Sequence, residues 1–426
     1  MPLSDIRFLV ASDVLVACLF PLVILFFGYK LFPEFSFSDI RDIINPWARK
    51  PTNHGYFSLE RAYSSYSLYE RLSATELQRM RASYATLGRV NKNIGHKIGY
   101  PRKLDELRNV TALNAIIAES IAELALDEFP ALKNAPKDDV NSADLGRVRE
   151  SLKHFVRDWS EEGEAERRRI FTPILDLLRT VDPVGKTVLV PGCGLGRLAW
   201  EISQLGFNTT ANELSFFMTL SIRFLLSPKT TNIVNEHTLR PYAHWFSHQR
   251  SNQSLFRAIR FPDVVPRFSH NFHLVEDDFL KMTLPVAAAQ DQTPEAKAPL
   301  WLKHQGDSVP NSNSQGYDYI VTLFFIDTSL DILATISHIH KLLRPGGTWI
   351  NLGPLLWTGG GQAKLELSLE EVLLAAEEIG FEIDKSTEGL SSRKTVECEY
   401  TSDKNAMMRW TYKAEFWVAH KASSLP

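Results

Sequence analysis

The spacing of apolar positions divides the chain into three stretches. The first is the run FLVASDVLVACLFPLVILFFGY, Phe8 to Tyr29, with Asp13 as its one charge. As a helix it would span roughly 33 Å, against a hydrocarbon core of about 30 Å. Pro21 would kink it, which a membrane helix tolerates. Residues 1–35 therefore read as a membrane anchor. A signal peptide has a shorter apolar region and a small-residue cleavage site, and GYKLFPEF offers none. A buried N-terminal helix is the other reading. Lys30, Arg41, Arg49 and Lys50 lie after the run and Arg7 alone before it, so an anchored protein would face the cytosol. Without an anchor the expected location is cytosol or nucleus.

The second stretch, residues 36–140, carries helical spacing. LERAYSSYSLYERL and ATELQRMRASYATLGRV repeat apolar residues at three and four. ALNAIIAESIAELALDEF is rich in strong helix formers. PALKNAPKDDVNSAD breaks the pattern, and a further helix from Gly146 to Val181 is interrupted at Glu162–Gly163.

After Asp182-Pro183 short apolar runs alternate with helical ones. TVLV, TTANEL ending at Glu213, HLVEDDF, YDYIVTLFFID closing on Asp327, TWINLG and YKAEFWVAHK read as strands. RLAWEISQLG, SFFMTLSIRFLL, SLDILATISHIHKLL and EEVLLAAEEIG read as helices. Such alternation predicts an α/β, Rossmann-like, doubly wound and largely parallel sheet over residues 141–426. Residues 286–316, rich in Ala, Pro, Gln and Ser, read as a flexible surface insertion.

Charge and cysteine content narrow the function. Lys+Arg 47 against Asp+Glu 50 leaves −3, which argues against nucleic acid as the main partner. Cys18, Cys193 and Cys398 form neither a disulfide framework nor a zinc spacing. His244 and His248 in RPYAHWFSHQRS lack the acid of an H-E-x-x-H pattern, so packing or a lid is preferred to a metal. Arg167-Arg168-Arg169 reads as a solvated helix face, and Cys193 as a small packed residue. Trp245, Trp357 and Trp410 are candidates for a pocket wall, though each alone is more often core.

Gly192, Gly194 and Gly196 alternate between a strand and a helix, where glycine permits a sharp turn and close approach to a ligand. The sixth position of a dinucleotide G-x-G-x-x-G is Arg197, so that fingerprint is broken. Glu213 closes the next strand, where a carboxylate can bind ribose hydroxyls. This pairing suits either a nicotinamide or an S-adenosylmethionine site. The turn Arg344-Pro345-Gly346-Gly347 resembles that of class I methyltransferases. Those usually place an acid two residues before the first glycine, and Val190 stands there instead.

VLVPGCGLGRLAWEI, NELSFFM, RPYAHWFSHQRS, FRAIRFPDVVP, FFIDTS and GGTWINLGPLLW occur in this order, and together they resemble the carnosine N-methyltransferase (N2227-like) family over roughly residues 55–426. The resemblance implies a class I methyltransferase that uses S-adenosylmethionine and methylates an imidazole nitrogen of a histidine-containing dipeptide. It implies cofactor contacts at His154 and Arg157, at Gly192 and Gly194, at Glu213, and at Asp278 with Phe279. It implies substrate contacts at Asp327 and Tyr412. Arg157 would grip the methionine carboxylate and Asp278 the adenine amino group. Thr358 replaces the family's His after the P-L-L-aromatic run, and Trp410 replaces a Tyr.

In the expected reaction Asp327 orients the imidazole and stabilises its growing positive charge, as the buried Asp of a catalytic triad does for its His. The competing reading of Asp327 is an N-cap for the helix after it. The expected partner is a small-molecule methyl acceptor; a homodimer stays open. A methyltransferase for another small metabolite or a protein histidine, an oxidoreductase, and an inactive membrane-tethered scaffold are the alternatives.

Overall fold

The computed structural model describes residues 55–134, 143–284, 316–357 and 362–423. The expected anchor at 1–35, the insertion up to residue 315, and Thr358 lie outside them. Nearly all described residues belong to one unit, Tyr56–Pro426.

Among the described residues, six α-helices precede the sheet. They are α1 (Leu59–Ser67), α2 (Tyr69–Ala85), α3 (Arg89–Lys97), α4 (Tyr100–Glu128), α5 (Leu145–Trp159) and α6 (Glu164–Arg179). Ser58 caps α1 through Arg61 N, and Asp144 caps α5 through Arg147 N. The expected interruption between α5 and α6 is a short turn, Glu161–Gly163. A β-carbon on Gly163 would strike the carbonyls of Val156 and Arg157, so the turn requires glycine. By length and composition α4 could cross a membrane, but Leu107, Val110, Ala118, Ile121 and Ala125 bury its core-facing side.

The α/β part follows as β1 (Thr187–Pro191), α7 (Arg197–Gln204), β2 (Asn208–Asn212), α8 (Phe216–Leu226), β3 (His237–Leu239), α9 (Asn252–Leu255), β4 (Ile259–Phe261) and β5 (Phe272–Val275). It continues through β6 (Tyr317–Leu323), α10 (Ile332–Leu342), β7 (Leu343–Gly353), α11 (Leu369–Ile379), β8 (Phe381–Ile383), β9 (Lys394–Cys398) and β10 (Tyr412–Lys421). The main sheet has the order β5-β2-β1-β6-β7-β10-β8, with β9 also paired to β10. Pairs along β5-β2-β1-β6-β7 are parallel, and β10 is antiparallel to its neighbours. β3 and β4 form a separate antiparallel pair. The order reverses between β1 and β6, so their carboxyl ends flank the crevice where such sheets bind ligands.

Side chains of β1 alternate between two cores. Val188 and Val190 enter a core that also holds Tyr66, Ile117, Phe155 and Phe217, whereas Leu189 joins Ile320, Ile336, Trp349 and Trp417. The N-terminal helices thus share one apolar core with the sheet. The expected boundary near residue 140 lies within 135–142, outside the described residues.

Two sequence expectations are corrected. The β6 strand stops at Leu323 and not at Asp327. Phe324 adopts φ 50° and leaves the sheet, and Asp327 sits in the following 3-10 turn, Ile326–Thr328. The N-cap of α10 is Asp331, bonded to Ala334 N, so Asp327 is not that cap. The basic run is not wholly solvated: Arg168 is exposed, but Arg167 is buried and donates to the carbonyls of Arg157 and Ser160 and to Asp263.

Candidate active site

The site begins at the carboxyl end of β1. Gly192, Gly194 and Gly196 all have positive φ, at 60°, 59° and 76°. This conformation costs about 1–2 kcal/mol for a residue with a β-carbon. At Gly192 the ring of Phe325, from the turn after β6, fills the space a β-carbon would need. At Gly194 a β-carbon would stand 3.4 Å from Arg157 Nη2 and 3.9 Å from Asp158 Oδ2. The loop therefore lies between the turn after β6 and the end of α5.

Glu213, directly after β2, ties the loop to the next segment. Its Oε2 accepts from Gly194 N at 3.0 Å and its Oε1 from Ser215 N at 2.9 Å. Burial pushes this carboxyl above its usual range, while the Ser215, Gly194 and Leu214 N–H groups pull it down. An ionised carboxylate has about four acceptor positions, so two backbone bonds leave capacity for ribose hydroxyls.

Asp278 follows β5 and uses Oδ1 to cap Leu280 N at 3.0 Å. Phe279 is buried against Phe325 and His338, with ring centroids 5.4 and 4.9 Å away. Phe279 is thus joined to the glycine loop through Phe325.

Arg157 and His154 lie on the last turns of α5, and both are buried. Asp158 takes one edge of the Arg157 guanidinium, with Nε–Oδ1 at 2.7 Å and Nη2–Oδ2 at 2.9 Å. A guanidinium has a second edge with the same fork geometry. Arg157 also covers the Tyr400 ring, 4.6 Å from its centroid. The expectation for His154 changes in kind. Nδ1 lies 2.9 Å from the Glu150 carbonyl, which can only accept, so this nitrogen carries the proton. Nε2 then accepts from the Tyr400 hydroxyl at 3.1 Å. Both ring nitrogens are engaged within the protein, and burial with the nearby Arg157 charge holds the imidazole below its usual pKa. His154 positions Tyr400 and offers the cofactor side only a ring edge.

On the substrate side, Asp327 is buried and its Oδ2 accepts from Leu356 N at 3.0 Å. Burial raises its carboxyl to about 6, against the lowering effect of the Leu356 and its own backbone N–H groups. Tyr412 opens β10, and its hydroxyl is raised by burial and then by the Asp327 charge. Phe324 packs edge-on against Tyr412 at 5.7 Å and tilted against Tyr400 at 4.8 Å. Aromatic contacts therefore run from Tyr412 through Phe324 and Tyr400 to His154 and Arg157.

Sequence reasoning missed Tyr400, Phe324, Phe325 and Asp158. Tyr400 lies between β9 and β10 with no local motif, and only the folded chain brings it to α5. Of the three tryptophans, Trp410 is exposed, Trp245 is partly exposed under Lys153, and Trp357 donates to the Leu367 carbonyl. His244 contacts Arg149 Nη2 at 2.8 Å and Tyr69 at 3.3 Å, and burial followed by the Arg149 charge lowers it to about 3. Cys193 is pushed well above the usual thiol range, first by burial and then by the Glu213 and Asp158 charges.

A sheet of this order with one antiparallel strand, a glycine loop after its first strand and an acid bonded to that loop after its second defines a class I S-adenosylmethionine-dependent methyltransferase. The family profile described as carnosine N-methyltransferase matches residues 134–423, and the chain belongs to that family. The mouse carnosine N-methyltransferase is 31% identical over 376 residues, covering 84% of this chain and 83% of its own. The fission yeast (Schizosaccharomyces pombe) enzyme is 29% identical over 392 residues, covering 86% and 96%. Solved structures with a similar fold include a SAM-dependent methyltransferase from Methanosarcina mazei, 12% identical, covering 59% of this chain and 98% of that one, with a TM-score of 0.34. At that score the likeness carries no weight, and the class rests on strand order and site. The protein is an S-adenosylmethionine-dependent N-methyltransferase.

Proposed function

We propose that the protein methylates an imidazole nitrogen of a histidine-containing dipeptide or a related small molecule. Bound S-adenosylmethionine supplies an electrophilic methyl group on a sulfonium. The glycine loop, Glu213 and Asp278 hold its adenosine, and Arg157 its carboxylate.

The observation that carries the acceptor is the buried Asp327 carboxyl, held by Leu356 N in the turn after β6. Neutral imidazole is nucleophilic at one nitrogen and bears a proton on the other. Asp327 accepts a hydrogen bond from that N–H, which fixes the tautomer and turns the lone pair toward the methyl group. The ring lone pair would form the new N–C bond, with the sulfonium sulfur as leaving group keeping the S–C electron pair. The ring becomes positive, and the Asp327 carboxylate stabilises that charge in a water-poor site. Tyr412 and Phe324 wall the ring and limit its rotation. The apolar run Phe8–Tyr29 supports attachment to a membrane with the catalytic unit in the cytosol.

Mass spectrometry of reactions offered carnosine, free histidine, other histidine dipeptides and non-imidazole amines tests the reading. The expected product carries one methyl on the imidazole. Methylation confined to amines or hydroxyls would overturn the acceptor and leave the methyltransferase class intact.

A further inference from the structure

The class usually provides an acid two residues before the first loop glycine, and Val190 leaves this chain without it. Val190 is 2% exposed and points into the core shared with the N-terminal helices. A valine offers the cofactor no carboxylate. A second buried acid does stand at the loop, entering from a different element. Asp158 closes α5, is 1% exposed, and has Oδ2 within 3.9 Å of the β-carbon position of Gly194.

Gly194 consequently lies between two carboxylates. Glu213 bonds its N–H at 3.0 Å, and Asp158 approaches its α-carbon side. We propose that Asp158 binds the α-ammonium of the methionine portion of S-adenosylmethionine and so replaces the acid absent at Val190. The proposal rests on the methyltransferase reading above and deepens it.

The chemistry is complementary. The amino-acid end of the cofactor is a zwitterion, with an ammonium and a carboxylate on one carbon. Arg157 and Asp158 present the opposite zwitterion on adjacent residues, with both charged groups at Gly194. Asp158 uses one lone pair on each oxygen toward Arg157, and each oxygen retains another. Arg157 turns Nε and Nη2 toward Asp158, and Tyr400 is a further partner of its side chain. A buried ion pair with open capacity on its acid is costly if it serves packing alone. Here it is also braced from below. Arg167 donates to the Arg157 carbonyl at 2.6 Å and Arg197 to the Asp158 carbonyl at 2.9 Å, and both arginines meet Asp263. Glycine at position 194 leaves the space above the pair unfilled, which a side chain would occupy.

Titration calorimetry on the full chain tests the assignment with three probes: S-adenosylhomocysteine, its analogue lacking the α-amino group, and 5′-methylthioadenosine, which lacks the amino-acid end. The wild-type protein should prefer S-adenosylhomocysteine over the deamino analogue by about tenfold or more, the scale of a charge-assisted bond. Asp158→Asn should reduce that preference to about twofold or less while 5′-methylthioadenosine binds as before. Absence of the wild-type preference, or its full retention in Asp158→Asn, would overturn the proposal. If the Asn variant fails to fold by circular dichroism, Asp158→Glu decides in its place. It keeps the charge opposite Arg157 but displaces the carboxylate, so the preference should still fall; an unchanged preference overturns the proposal. Failure of the wild type to bind any of the three probes would instead remove the methyltransferase reading beneath it.

Discussion

The hydroxyl of Tyr400 meets Nε2 of His154 at 3.1 Å, and this bond joins the hairpin between β9 and β10 to α5, the helix whose end lies against the glycine loop. It also fixes the imidazole tautomer, because Nδ1 already faces a carbonyl. Tyr400→Phe removes the donor and leaves Nε2 without a partner on a residue that is 4% exposed. The variant should lose about 1–3 kcal/mol of stability while keeping its ring under Arg157. Urea denaturation measures the loss; an unchanged midpoint would show that the bond contributes nothing.

Asp327 carries a cost in the free protein. Its carboxyl is raised to about 6 from an ordinary value of 3.8. A raised acid contributes favourably while protonated below its unfolded pKa, and that contribution disappears as pH rises through the folded value. Asp327→Asn should therefore be more stable than wild type at pH 7.5 by up to about 2–3 kcal/mol, and nearly equal at pH 4. Its turnover should fall about 100-fold, with little change in S-adenosylmethionine affinity. Melting curves across that range check the sign; a difference that narrows with rising pH would contradict it.

Glu213→Gln keeps the size of the side chain and replaces one acceptor oxygen with a donor. Either Gly194 N–H or Ser215 N–H then faces an amide NH₂. The ribose also loses its charged partner. We expect S-adenosylmethionine affinity to fall by about 1.5–3 kcal/mol in calorimetry. Equal affinity in the two proteins would displace the ribose from this carboxylate.

Gly192→Ala combines a φ of 60° with the Phe325 ring in the space of the new methyl group. The backbone term alone costs about 1–2 kcal/mol. Moving Phe325 also disturbs Phe279 and the turn that carries Asp327. Both stability and turnover should drop, read by thermal melts and methyl-transfer rates. A fully active, equally stable variant would show that the loop can relax.

The sequence made the β1–loop–α7–β2 unit legible because each part has a local cause. A short apolar strand, three glycines and an amphipathic helix need no distant partner to be read. The end of β6 was not legible. YDYIVTLFFID stays apolar to Ile326, and composition cannot show that the paired register with β7 ends at Leu323. Phe324 turns out with its N–H still held by the Leu352 carbonyl, where Gly353 allows close approach. Arg167 was misread for a similar reason. Its neighbours in sequence are exposed arginines, while Asp263 reaches it across the fold. The resemblance pointed to His154 as a cofactor contact, but the engagement of both its nitrogens depends on Tyr400, 246 residues away.

The shared core has a consequence for any attempt to isolate the catalytic half. Tyr66 of α1 buries its hydroxyl between the Phe217 carbonyl and Ser221 Oγ, both at 2.7 Å, and Phe216 N bonds the Phe57 carbonyl at 3.1 Å. Helix α8, which starts three residues after Glu213, thus has α1, α4 and α5 as its outer wall. A fragment trimmed to residue 141 would expose the apolar flank of that helix to water and strand the Tyr66 acceptors. Such a truncate should be recovered as aggregate, because the trimmed helices are the other half of its interior.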